Sequence, residues 1–214
     1  YSDDALNRPV IGIINTASGF NPCHGNAPQL IEAIKRGVML EGGLPVEFPT
    51  ISVHESFSNP TSMYLRNLMS IDTEEMIRAQ PMDAVVLLAA CDKTTPALIM
   101  GATSANLPAI YMPAGPMLRG NWHGEPLGSG TDTWKYWAEF RAGNLSKNEL
   151  QEVEEGIARS PGHCMVMGTA STMTSIAEVL GFTLPGAASI PAADSNHALY
   201  QILLSWIWQD SDID

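Results

Sequence analysis

The chain has 214 residues, enough for one well-filled core and short for two full domains. Its formal net charge of −12 excludes a nucleic-acid surface, which needs a basic patch, while leaving room for an anionic ligand held through a metal. No apolar run approaches membrane-spanning length, no leader pattern is present, and three cysteines, an odd count, suit a reducing compartment. The expectation is a cytoplasmic protein without nucleic-acid or membrane partners.

In chain order, "PVIGIINTA" reads as a strand, because its β-branched run gives way to the turn formers of "SGFNPCHGN". "APQLIEAIKRGVMLEGG" follows with apolar positions at Leu30, Ile31, Ile34, Val38 and Met39, the period of a helix, and ends at Gly42-Gly43. "PVEFPTISV" is a second strand leading into "HESFSNP", and a helix is expected around residues 73–80 with Asp72 as its N-cap. "DAVVLLAA" is a third strand, "PALIMGATSAN" a third helix and "PAIYMPAG" a fourth strand. This alternation predicts an α/β fold, a parallel sheet with helices on both faces, whose ligands bind beyond the carboxyl ends of the strands. Cys23, Glu55 and Cys91 each follow a predicted strand, so one rim should gather them.

Beyond the fourth strand, "GPMLRGNWHGEPLGSGTDTWKYW" reads as a long Gly-rich loop and then a helix. "SKNELQEVEEGIARS" carries a capping box, Ser146 with Glu149, and "PGHCMVMGTASTMTSIAEVLG" is a Gly-punctuated loop that opens a helix.

The candidate chemistry lies in the turns. Cys23, Cys91 and Cys164 each sit at a Gly- or Pro-marked turn, and no two are close enough in sequence for a zinc-finger pattern. Three unrelated thiols are one reading, since free cysteine is usually a small buried hydrophobe. Three thiolates on one cluster are the other. They would leave an iron position open, where an electron-transfer cluster is normally closed by four ligands. Glu55 and Asp92 could hold magnesium, a hard cation that takes oxygen ligands, and Lys93 could either belong to that site or simply neutralise Asp92. His24 and His163 adjoin cysteines, and as loop histidines they are expected to be solvated or bonded to backbone. "GSGTD" offers a weak cradle for an anion.

Taken together and in this order, "NPCHGN", "TISVHES", "LLAACDKTTPA", "LGSGTDTWKYW" and "GHCMVMGTASTM" resemble the N-terminal part of the dihydroxy-acid and sugar-acid dehydratases. The resemblance runs from about Arg8 to Ser195. It implies that Cys23, Cys91 and Cys164 bind a [2Fe–2S] cluster. It also implies that Glu55 and Asp92 bind Mg2+ and that Lys93 is carbamylated beside them, so that cluster and magnesium share one turn. Burial is expected to lower the lysine pKa and favour the neutral amine that reacts with carbon dioxide. Glutamate in "VHES", where the branched-chain amino-acid enzymes carry an Asp-Gly pair, resembles the pentonate branch.

The expectation is therefore an N-terminal α/β dehydratase domain over residues 1–195, acting on a small-molecule sugar acid. A C-terminal β-barrel-like domain, which carries the family's serine base, is expected to be absent from this chain, so that the chain alone is inactive. Residues 196–214 read as an atypical apolar tail whose two tryptophans suit a homo-oligomer. The alternatives are a non-catalytic fragment that only binds metal or a partner, and a plain zinc or iron module.

Overall fold

The computed structural model describes residues 1–197. The tail "LLSWIWQ", and with it the expected self-association, lies outside the described residues.

After a short helix α1 (Asp3–Leu6), the chain alternates β1 (Val10–Asn15), α2 (Ala27–Leu40), β2 (Leu44–Pro49), α3 (Ser62–Ala79), β3 (Ala84–Ala89), α4 (Thr94–Ala105) and β4 (Ala109–Pro113). The four strands form a parallel sheet in the order β2-β1-β3-β4. Strand alternation decides which side chain meets which helix. Ile11, Ile13, Val86, Leu88, Ile110 and Met112 pack on Leu30, Ile31, Ile34 and Val38 of α2. Ile14, Phe48, Val85, Leu87 and Tyr111 face the opposite side, against Met69 and Ile77 of α3 and Leu98 of α4. A later helix, α7 (Thr169–Val179), adds Ala177 to that second layer. Both faces of the sheet are thus covered, and β3 is buried along its whole length, as its unbroken apolar run requires.

Two expectations are corrected. Helix α3 begins well before Asp72; Thr61 is the N-cap, its hydroxyl accepting the Met63 amide. Asp72 is a mid-helix residue whose carboxylate accepts the Ile51 amide at 3.0 Å, tying the loop after β2 to the helix. The buried stripe of α3 runs Met69, Thr73, Ile77, and a threonine at its centre blurs the apolar period. The segment after β4 is not a plain loop. It holds a hairpin, β5 (Gly120–Trp122) and β6 (Glu125–Leu127), closed by His123 and Gly124 at φ of 50° and 88°. Positive φ at both central residues is the signature of the hairpin turn whose twist suits the strands.

The hairpin packs on α5 (Thr131–Arg141) and α6 (Lys147–Ile157) through Leu127, Val153, Ile157, Trp122 and Tyr136. The capping box at Ser146 and Glu149 is formed as expected, with both hydrogen bonds present. The "GSGTD" cradle holds an anion of the chain's own, because the Gly128 amide donates to Asp132 at 2.6 Å. Among the described residues, no helix is long and apolar enough to cross a membrane.

Candidate active site at the carboxyl ends of the strands

In the strand order β2-β1-β3-β4, the chain leaves β1 toward one side of the sheet and later builds β3 and β4 on the other. The crevice between the loops after β1 and β3 is therefore a topological switch point, where open α/β sheets bind ligands. Pro22–His24 form a single 3₁₀ turn above β1, and Cys91, Asp92 and Lys93 form the turn that starts α4 above β3. Glu55 opens a 3₁₀ turn in the loop after β2. The loop carrying Cys164 is pinned to the same rim by three backbone hydrogen bonds. The Gly162 amide donates to the Cys23 carbonyl at 3.1 Å, the His163 amide to Gly115 at 3.0 Å, and the Met117 amide to His163 at 2.8 Å.

Cys23 and Cys91 are both buried, and each thiol shifts the pKa of the other. Interaction with the Cys91 thiol, then burial, then the charges of Cys91 and Cys164, push the Cys23 thiol up. The same neighbour interaction pulls Cys91 down against its burial. Cys164 is exposed, yet near enough for its charge to act on Cys23.

On the other side of the Cys91 turn, the Lys93 ammonium donates to Glu55 at 2.8 Å and to Asp92 at 2.9 Å. The two carboxyl groups are close enough to shift one another. Glu55 is held below the usual carboxylate range first by Asp92 and then by Lys93, against its own partial burial. Asp92 is pushed up by burial and by Glu55, against the pull of Lys93. Lys93 departs from expectation. Burial does pull the ammonium down, but the hydrogen bonds to Glu55 and Asp92 outweigh it, so its pKa lies above the ordinary lysine value.

The histidines nearest in sequence to the thiols are not solvated. His24 and His163 are each 1% exposed and bonded to backbone. Burial lowers the pKa of both, that of His24 to about 4. The contacts of His24 span two loops and had no signal in the sequence beyond its place next to Cys23. An open cleft beside Glu55 is lined by Phe20, Ser52, His54, Phe57 and Leu65.

The donor types suit two kinds of metal: thiolates for a soft centre, carboxylates for a hard cation. Asp92 Oδ1 is buried without a hydrogen-bond partner, an acceptor held ready. The Lys93 ammonium lies between the two carboxylates, as a cation would. Among the described residues, no three His, Cys, Asp or Glu side chains already form a closed metal cage. Loading would therefore require the side chains to rearrange, Lys93 first.

The family model for the dihydroxy-acid/6-phosphogluconate dehydratase N-terminal region matches residues 8–201. The chain belongs to this dehydratase family. It is 48% identical to the 6-deoxy-6-sulfo-D-gluconate dehydratase of Pseudomonas putida, over 97% of this chain and 37% of the relative. It is 51% identical to an L-arabinonate dehydratase of Rhizobium leguminosarum bv. trifolii, over 88% of this chain and 32% of the relative. A dihydroxy-acid dehydratase of Clostridium novyi is 36% identical over 90% of this chain and 36% of its own length. The chain thus spans about a third of the length of the curated relatives it matches.

Proposed function

We propose that this dehydratase-family chain is the cofactor-bearing N-terminal part of a hydro-lyase that removes water from a sugar acid, converting a 2,3-dihydroxy carboxylate to a 2-keto-3-deoxy acid. Cys23, Cys91 and Cys164 would hold a [2Fe–2S] cluster, and Glu55, Asp92 and carbamylated Lys93 would hold magnesium. The carrying observation is the turn Cys91-Asp92-Lys93, joined to the Cys23 turn through the bond from the Cys91 amide to His24 on one side and to Glu55 through its lysine on the other. The higher identity to relatives named for sugar acids than to a dihydroxy-acid relative supports the substrate class.

Bound there, an open iron position and a magnesium ion would act as Lewis acids on the departing 3-hydroxyl and on the carboxylate and 2-hydroxyl of the substrate. The chain's own part is to hold charge and to line the substrate cleft. Asp92 and Glu55 present oxygens at the rim, and the adjacent cleft has apolar walls, Phe20, Phe57 and Leu65, with Ser52 and His54 for hydroxyl groups. Lys93, while paired, is protonated and cannot add carbon dioxide. Release from its two carboxylates leaves burial as the remaining influence, and burial favours the neutral amine. That amine forms an N–C bond to carbon dioxide and releases a proton, becoming an oxygen donor. The reading assigns the base for the C2 proton to a part of the enzyme outside these residues, so the 214 residues alone do not turn over.

Anaerobic reconstitution with iron, sulfide and magnesium tests this. The expected result is a coloured chain with two iron and two sulfide. It forms no keto acid from pentonates or hexonates, whereas the product of the whole gene does. A chain that stays colourless, or takes zinc with no iron–sulfide chromophore, refutes the cluster. A whole gene product that loads fully and dehydrates no sugar acid leaves the metal-binding module as the better reading.

A further inference from the structure

We propose that His24 is a positioning residue of the thiol site, a neutral imidazole that ties the Cys23 turn to the Cys91 turn and sets the spacing at which their thiols meet a shared metal centre. The proposal rests on the reading of these cysteines as cluster ligands, and it gives a role to a residue that the reading leaves idle.

The donor and acceptor sense of each contact is fixed by backbone chemistry. The Ala90 amide lies 3.2 Å and the Cys91 amide 3.1 Å from Nε2 of His24. Backbone amides only donate, so Nε2 carries a lone pair and no proton. Nδ1 then bears the hydrogen, and it lies 3.0 Å from the carbonyl oxygen of Thr16, which only accepts. The Thr16 hydroxyl lies 2.8 Å from Nδ1 and 3.1 Å from the Leu88 carbonyl. It donates to Leu88 and so meets Nδ1–H as a second acceptor. The ring is held in one tautomer, and a proton on Nε2 would expel both amides.

This ring joins the ends of β1 and β3, the two strands that flank the switch point. Its own turn carries Cys23, and one of the amides it binds is that of Cys91, whose buried thiol is close enough to Cys23 for each to shift the other. The ring therefore links the two turns that carry the thiols. An apolar side chain of the same size would leave two buried amides unpaired. Lysine or arginine has no acceptor to offer them. Glutamine has one, together with an N–H for Thr16, and is the conservative replacement.

Two measurements decide the matter. In the metal-free, ¹⁵N-labelled chain, long-range ¹H–¹⁵N correlation should show His24 as the neutral Nδ1–H tautomer; the Nε2–H form, or exchange between the two, overturns the proposal. Wild type, His24→Phe and His24→Gln are then loaded anaerobically with iron salt and sulfide, and bound iron, bound sulfide and visible circular dichroism are measured. The phenylalanine variant should bind iron at least about tenfold more weakly, the usual scale for losing a group that orients metal ligands, and glutamine should restore most of the loading. Loading of the phenylalanine variant like wild type overturns the proposal, as does a glutamine variant no better than phenylalanine. If the phenylalanine variant fails to fold, the tautomer and the glutamine variant still decide. A wild-type chain that takes up no iron overturns the cluster reading and the positioning role together, whereas equal loading of wild type and phenylalanine variant overturns the positioning role alone.

Discussion

Replacing Lys93 by methionine removes the ammonium while keeping most of the side-chain volume, so packing is largely preserved and the ion pairs are isolated. Lys93 makes two charge-assisted hydrogen bonds, at 2.8 and 2.9 Å, and its side chain is 11% exposed. Such bonds are worth roughly 1.5–3 kcal/mol each when desolvated. The Glu55 side chain is 50% exposed, so its share is screened to below about 1 kcal/mol, while Asp92 at 22% keeps most of its value. The loss at pH 7 is therefore about 2–3 kcal/mol. Asp92 caps it, because without Lys93 its already raised pKa climbs further and it can take a proton to donate to Glu55. The pH dependence has a definite sign. The contribution of Glu55, whose pKa is depressed, is present above the ordinary carboxylate value and is lost as pH falls through the folded value. That of Lys93, whose pKa is raised, is present below the ordinary lysine value and is lost as pH rises through the folded one. The gap between wild type and variant should be widest near neutrality and close in acid. Thermal melts of the metal-free chain in carbonate-free buffer should show a drop of about 5–10 °C at pH 7, at 2–4 °C per kcal/mol for a chain of this size. A variant as stable as wild type at pH 7, or a gap that widens in acid, refutes the reasoning.

Tyr111→Phe should cost about 1–2 kcal/mol in urea denaturation, because the buried hydroxyl bonds Thr95 at 3.0 Å and Thr174 at 3.3 Å and so ties β4 to α4 and α7; no measurable change would mean that the hydroxyl network holds nothing. Gly101→Ala should destabilise by about 1–3 kcal/mol, since an added Cβ would stand 2.7 Å from both the Ser70 carbonyl oxygen and Thr73 Cβ, where α3 and α4 touch. An alanine variant of unchanged midpoint would show that the two helices can part without cost. Lys35→Met should cost less than about 1 kcal/mol, because its pairs with Glu32 and Glu47 lie at the surface. The hydrogen bond from Lys35 holds the Glu47 pKa down, so the small difference should vanish as pH falls through the depressed Glu47 value. A difference that persists there would mean that packing, and not charge, is responsible.

The fold was legible wherever a segment's own chemistry decides its structure. The apolar runs of β1, β3 and β4, the helical period of α2 and the capping box at Ser146 each carry their signal within a few residues. The first half of α3 was not legible, because apolar Tyr64, Leu68 and Ile71 lie on its exposed face while its buried positions there are only Ser62 and Met69. At the site, the residue types in "CDK" were readable, and so was their place after a strand. The sense of the Lys93 shift was not. It depends on the distance to Glu55, which a separate loop supplies, and two hydrogen bonds there outweigh burial. The contacts of His24 were hidden for the same reason: its partners are backbone amides at the end of a strand distant in sequence.

Because β1 lies between β2 and β3, the order in which the chain is made matters to the site. A growing chain completes β1, α2 and β2 while the other edge of β1 still awaits Ala84–Ala89. Until that strand is added, Val10–Asn15 presents an unpaired and largely apolar edge, the kind of surface that recruits other chains. Cys23 is made long before the turn that carries Cys91, and a lone thiol on a half-built sheet makes a poor trap for metal. Pairing of β3 with β1 is a long-range parallel closure, a slow class of event. The chain is therefore exposed to aggregation before the Cys23 and Cys91 turns can meet, and slowing synthesis between β2 and β3 should lengthen that interval.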